Sequence, residues 1–195
     1  MRYAAGMAAL LVAGSLAGCQ GSEPAPAPLP SASEPSGTAA SSAGSANPAP
    51  EPGADLVTVT SSPPADPATA RVFDDYVRFW QRDMLALRSN DLRGSGVLAF
   101  LFPPQLQETA TYLAGQRRAG RHTEGTIGIA PGVASVQGRS ATVTDCLDQS
   151  RTFDMDRSGR RTRPKPPHLP LTVSLQRGAD DRWKVSDLGR RDGSC

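Results

Sequence analysis

Apolar residues are distributed in three different ways along the 195-residue chain. An unbroken apolar run extends from Tyr3 to Ala13, and residues 20–66 then show almost no apolar periodicity. From Pro67 onward the apolar positions recur first at helical and later at alternating spacing. This pattern predicts a leader over residues 1–18, a linker over 19–66 and one folded domain over 67–195.

The folded domain is predicted to begin with two helices. Asp66 and Pro67 are suited to the cap and the first turn of a helix over 68–87. The apolar residues on one face of that helix are Val72, Phe73, Tyr76, Val77, Phe79, Trp80, Met84 and Leu87. A second helix is expected after Pro103-Pro104, with Gly120 as its stop signal.

Beyond Arg121 the apolar spacing changes to the period of two that is typical of strands. The predicted strands are 122–129, 133–137, 140–148, 151–155, 169–177 and 182–188. Turn-forming residues lie between them, and short connections favour antiparallel neighbours. Helices followed by an antiparallel meander predict an α+β domain.

Two strand segments of this domain resemble those of secreted lipoproteins of the NTF2-like superfamily. They are Thr-Val-Thr-Asp-Cys-Leu-Asp at 142–148 and Arg-Trp-Lys-Val-Ser-Asp at 182–187, and a terminal Cys195 accompanies them. The resemblance, which extends to the SnoaL and ketosteroid-isomerase branches, implies a curved antiparallel sheet wrapped around the helices as a cone. It also implies a cavity at the open end of the cone.

The leader ends in a second recognisable motif. Its apolar run is too short to span a bilayer, which takes about 20 residues, and has the size of a signal-peptide core. Leu16-Ala17-Gly18-Cys19 resembles the lipobox of bacterial lipoproteins. That resemblance implies cleavage before Cys19, fatty acylation such as palmitate on that residue, and anchoring at the extracytoplasmic face of the cell membrane.

The linker has the composition of a disordered tether. Residues 20–66 contain no Lys, Arg or aromatic residue and are rich in Pro, Ala, Ser and Gly. A short strand over 56–60 is an alternative for one segment, although Pro residues lie on both sides of it.

Cys146 and Cys195 remain after Cys19 is assigned to the lipid. An even pair in an oxidising compartment predicts a disulfide between them. The alternative is metal binding, for which two cysteines without a neighbouring histidine supply too few ligands. No metal site and no cofactor is predicted.

Strand alternation suggests two candidate catalytic residues. In a strand, Asp145 would share one face with Val143 and Leu147, and Asp187 would share one face with Val185 and Trp183. If these faces line the cone, burial would raise the pKa of each carboxyl toward that of a general base. The alternative is that both aspartates cap backbone or pair with arginine at a bulged strand end.

A cluster of positive charge marks one predicted hairpin loop. Its members are Arg157, Arg160, Arg161, Arg163 and Lys165. Such a loop could bind anionic wall polymer or phospholipid headgroups, and the alternative is an ordinary solvated loop. Nucleic acid is excluded as a partner by the predicted compartment.

These features favour an anchored, non-catalytic domain that binds a ligand or another protein. One alternative is an enzyme of the isomerase or cyclase type that uses a cavity aspartate. Another is an envelope accessory protein whose basic loop contacts wall polymer. The partners expected are the membrane, through Cys19, an apolar small molecule or envelope protein, and a second copy bound through the sheet.

Overall fold

The computed structural model describes residues 50–162 and 166–195. Two helices pack on a six-stranded sheet, with a separate two-stranded ribbon beside them. The helices are α1 (Pro67–Ser89) and α2 (Pro103–Ala119). The strands are β1 (Val57–Val59), β2 (His122–Gly125), β3 (Ile127–Ile129), β4 (Gly132–Gln137), β5 (Ser140–Asp148), β6 (Thr152–Met155), β7 (His168–Arg177) and β8 (Trp183–Arg190).

Some of the predicted features lie outside the described residues. They are the signal peptide, the lipidation site at Cys19, the linker as far as residue 49, and Arg163 and Lys165 of the basic loop. Among the described residues, no helix combines the length and apolarity that a membrane crossing requires.

Both helices begin and end within two residues of the predicted positions. The Asp66 carboxylate accepts a hydrogen bond from the Thr69 amide at 2.9 Å, and Pro67 occupies the first turn of α1. Helix α2 begins at Pro103 and ends at Gly120, whose φ of 64° is left-handed. The predicted stop signal at Gly120 is therefore confirmed.

Strand β5 is the centre of the main sheet. Along one edge it pairs with β7, which pairs in turn with β8, and along its other edge it pairs first with β4 and then with β3. The segment predicted as one strand over 122–129 is divided at Gly125, which has a φ of 96°. As a result β2 leaves the main sheet and pairs with β6 in the ribbon.

Aromatic residues of α1 fill the space between that helix and the sheet. Tyr76 is fully buried, Phe79 is 1% exposed and Trp80 is 6% exposed. Their rings lie 5.1 to 6.4 Å apart between centroids, in the range of favourable aromatic contact. Tyr76 and Trp80 are thus core residues, as the helical pattern predicted.

The ordered domain begins earlier in the chain than Pro67. Strand β1 lies inside the predicted linker, and Leu56, just before it, is 4% exposed and part of the core. The segment pairs parallel to β3, with Val57 opposite Ile127. Parallel neighbours need a long crossover, which the helices α1 and α2 supply. The sheet is therefore mixed, where the prediction was antiparallel, and the α+β class itself is confirmed.

Candidate functional site

The Asp145 carboxylate is bound on both sides within the core. Its Oδ2 accepts a hydrogen bond from the Tyr76 hydroxyl at 2.7 Å, and its Oδ1 accepts one from the Ala130 amide at 2.7 Å. The residue is 3% exposed. Asp145 thereby connects α1, the corner after β3 and the central strand β5.

Burial governs the electrostatics of this pair. Desolvation raises the pKa of Asp145 above its usual value, although the bonds from Tyr76 and Ala130 oppose the rise. The pKa of Tyr76 is raised well above that of a free phenol, first by burial and then by the charge on Asp145. The hydroxyl therefore stays protonated and donates to the carboxylate.

The structure separates the two predicted catalytic aspartates. Asp145 lies on the buried face of β5 with Val143 and Leu147, as strand alternation predicted. Asp187 instead is exposed. A bulge places Asp187 opposite Ser174 while Val185 pairs with Leu175. The extra residue breaks the alternation in β8, so Asp187 does not share the buried face of Val185.

The raised pKa of Asp145 gives a pH-dependent stability. A carboxyl that holds its proton more firmly in the folded chain adds stability below its ordinary pKa of 3.8, and that stability is lost as the pH rises through the folded-state pKa. We expect the free energy of unfolding of the wild type, minus that of Asp145→Asn, to be largest below pH 3.8 and to decrease toward neutral pH.

Chemical denaturation at a series of pH values would measure this difference. The other titrating groups are common to both chains, so their contributions cancel. A difference that stays constant or grows with pH would contradict the raised pKa.

Asp75 of α1 is a second carboxylate with a tertiary partner, and it is partly buried. Its Oδ2 accepts a hydrogen bond from the Trp183 amide at 2.9 Å, which joins α1 to the first residue of β8. Burial also raises the pKa of this carboxyl. The sequence pattern could not predict this contact, because Asp75 and Trp183 are 108 positions apart and meet only in the tertiary fold.

The two remaining cysteines lie together, as predicted. Cys146 of β5 and the terminal Cys195 form a disulfide-capable pair with their Cα atoms 5.6 Å apart. Beside the pair is an open recess of about 460 Å³. The residues that line it include Asp145, Thr144, His168 and Arg191.

The predicted basic loop is only part of a larger positive surface. Arg157 lies directly against Gly120 at the end of α2, where an added Cβ would overlap its side chain. Pairing of His122 with Met155, and of Met155 with Arg161, brings the start of β2 beside the loop. We name the resulting exposed surface the basic face; it consists of Arg117, Arg118, Arg121, Arg157, Arg160 and Arg161.

The arginines of the basic face differ in their local partners. Arg160 pairs with Asp156 at 3.2 Å, and Arg161 stacks on Phe153 at 3.9 Å from the ring centroid. Hydrogen bonds from Ser158 and from backbone amides hold the pKa of Asp156 at about 2. Within residues 50–162 and 166–195, Arg118 and Arg157 have no carboxylate within salt-bridge distance.

The sequence pattern missed the helical half of the basic face. Arg117, Arg118 and Arg121 flank the stop signal at Gly120. Their positions show that they lie at the end of a helix, but not that the loop folds back onto that end. Gly120 was the only local hint of this contact, since a residue with a side chain would not admit Arg157 so closely.

The histidines offer no assembled metal site. His122 Nε2 lies 3.1 Å from Glu124 Oε1, and His168 Nδ1 lies 3.9 Å from Asp148 Oδ1. Within the described part of the chain, no three His, Cys, Asp or Glu side chains are grouped so that they could hold a metal ion.

The fold is shared with the intermembrane space region of the chloroplast protein ARC6, which aligns with a TM-score of 0.51 at 16% identity, over 66% of this chain and 98% of that one. A structure from Catenulispora acidiphila aligns with a TM-score of 0.42 at 14% identity, over 64% and 93%. No protein-family model matches the sequence, and no curated protein does.

Proposed function

We propose that the chain is an exported lipoprotein, held by a lipid on Cys19 at the extracytoplasmic face of the membrane, whose folded domain is a non-catalytic interaction module. The observation that supports a non-catalytic domain is the bonding of the Asp145 carboxylate within the core. Both of its oxygens accept hydrogen bonds from the protein itself.

A general base must reach the proton that it removes. Asp145 borders the recess beside the cysteine pair but is only 3% exposed, and each of its oxygens already accepts a hydrogen bond, one from Tyr76 and one from Ala130. Asp187 lies on the exposed side of β8. The buried carboxylate is suited to joining α1 to the sheet. The two bonded oxygens of Asp145 support a role for the surface of the domain, through its contacts with other molecules.

The relation to the NTF2-like superfamily is part of the same proposal. Two helices on a strongly paired antiparallel core of β4, β5, β7 and β8 support it. The parallel addition of β1 is a local elaboration at one edge of the sheet. The cysteine pair at Cys146 and Cys195 supports an oxidising location, where such pairs form disulfides.

Metabolic labelling tests the anchor. We expect the full chain, made in a host that processes lipoproteins, to take up an alkyne-tagged palmitate and to sediment with membranes. Cys19→Ala should lose the label. The matched control Cys195→Ala should keep it. An unlabelled wild type, or a Cys19→Ala chain that keeps the label, would contradict the proposal.

Native mass spectrometry tests the alternative that the domain is an enzyme with an apolar substrate bound beside Asp145. The purified chain is expected to carry no apolar small molecule beyond its own acyl groups. A retained ligand that disappears in Asp145→Asn, but not in the exposed control Asp187→Asn, would support the catalytic alternative instead.

A further inference from the structure

The helix that contributes Arg117 and Arg118 to the basic face also carries an exposed aromatic residue. Tyr112 of α2 is 45% exposed, and its hydroxyl accepts a hydrogen bond from Gln116 at 2.8 Å. The same Gln116 amide lies 3.5 Å from Asp154 of β6. Tyr112 is therefore on the side of α2 that meets the ribbon, whereas Phe153, which supports Arg161, precedes Asp154 in β6 and lies on the other face of that strand.

This composition distinguishes a lipid surface from a soluble polyanion. Guanidinium groups bind phosphate through paired hydrogen bonds. Tyrosine is enriched at the level of lipid headgroups because its ring is apolar and its hydroxyl is polar. A polyphosphate chain has no apolar part and would use the arginines alone.

The entry point of the linker is close to the basic face. Gly53 packs against the backbone carbonyl of Gln81 in α1. Asn90, which ends that helix, accepts a hydrogen bond from Arg117 at its carbonyl and donates from its side chain to the Arg121 carbonyl. At 1.5 Å per residue, Gln81 and Asn90 are about 13 Å apart along α1.

The length of the predicted tether fits the same geometry. Residues 20–49 separate Cys19 from the described chain, and a flexible segment of that length would reach roughly 30 Å. That distance keeps the domain next to the membrane that holds Cys19. A low affinity of the basic face for the membrane is then sufficient for docking, because tethering supplies a high effective concentration.

We propose that the basic face, together with Tyr112, docks against anionic phospholipid headgroups of the membrane in which the chain is anchored. This inference rests on the proposed export and anchoring of the chain. To the proposed function it adds a binding partner, the bilayer surface, and an orientation of the domain in which the end of α2 faces the lipid.

Vesicle co-sedimentation tests the proposal without the acyl anchor. The protein is the chain from Gln20 to Cys195, which keeps every described residue and their common core. We expect it to bind vesicles of phosphatidylglycerol mixed with phosphatidylcholine. It should not bind vesicles of phosphatidylcholine alone, and binding should weaken as the salt rises from about 0.05 M to about 0.5 M.

Arg118→Gln with Arg157→Gln should weaken binding to the anionic vesicles roughly thirty-fold, since each arginine near such a surface contributes about 1 kcal/mol. The matched control is Arg71→Gln with Arg139→Gln, which removes the same charge. Arg71 lies roughly 28 Å from Asn90 along α1. The control should bind within about two-fold of the parent chain.

A third variant, Tyr112→Ser, separates lipid from polymer. It should weaken binding to anionic vesicles but leave binding to soluble polyphosphate unchanged. Equal loss from both arginine pairs, equal binding to both kinds of vesicle, or tighter binding to purified wall polymer than to vesicles would overturn the proposal. Palmitate labelling is independent of these results, so failure of the anchor and failure of the basic face are distinguishable.

Discussion

Replacing both Cys146 and Cys195 by serine should lower the free energy of unfolding by about 4 kcal/mol on the chain-entropy account of disulfide crosslinks. The reason is the span that the bond closes, because the two cysteines are 49 positions apart. Without the bond the unfolded chain gains conformational freedom, while the segment after β8 loses its attachment to β5. Chemical denaturation of the oxidised wild type and of the double variant measures the effect.

The third cysteine provides the control. Cys19→Ser lies outside the described domain and should leave the unfolding transition unchanged. Reduction of the wild type should reproduce the double variant, and the variant itself should be insensitive to reductant. A wild type whose stability does not change on reduction would show that the pair is not bonded in the purified protein.

Asp145→Ala should cost about 3 kcal/mol, because a buried donor left without a partner costs about 1 to 3 kcal/mol and a small cavity adds to it. The donor is the Tyr76 hydroxyl, which has no access to solvent. Tyr76→Phe keeps the ring and removes only the hydroxyl, so about 1 to 3 kcal/mol is expected from the carboxylate that loses its donor.

A double-mutant cycle between Asp145→Ala and Tyr76→Phe tests the contact itself. The double variant should be more stable than the sum of the single losses implies, since each single change leaves the other partner buried and unpaired. Asp187→Ala removes an exposed aspartate of β8 and should change stability by less than about 0.5 kcal/mol. Additive losses would show that the Tyr76–Asp145 bond contributes little.

Local patterns were sufficient to predict most of the elements. Helix α1 combines a capping Asp66 and Pro67 with a broad apolar face, so local preference and burial agree. Strand β5 was predicted with its observed bounds, Ser140–Asp148, because strict alternation and a tight turn define it. The buried position of Asp145 followed from the same alternation.

Features that depend on distant partners were not predictable in this way. Strand β1 was expected only as an alternative over 56–60, because its pattern is short, three residues in the structure. Its burial depends on β3, some 70 positions away. The bulge at Ser186 changes which face Asp187 occupies and has no signature in the apolar pattern. The contact between Arg157 and Gly120 likewise exists only once the loop folds back on α2.

The early start of the ordered domain has a mechanical consequence. If Cys19 is anchored, any pull between envelope and domain first meets the contacts of Glu51 and Gly53 with α1. It then reaches β1, which is held to β3 by three residue pairs and by the Thr60 amide bonded to Ile129. That edge should yield under load before the long pairing of β5 with β7. Release of this edge would add up to about 55 Å of extended chain from residues 50–66. The first event under tension would then be a longer tether, with the core of the domain still folded.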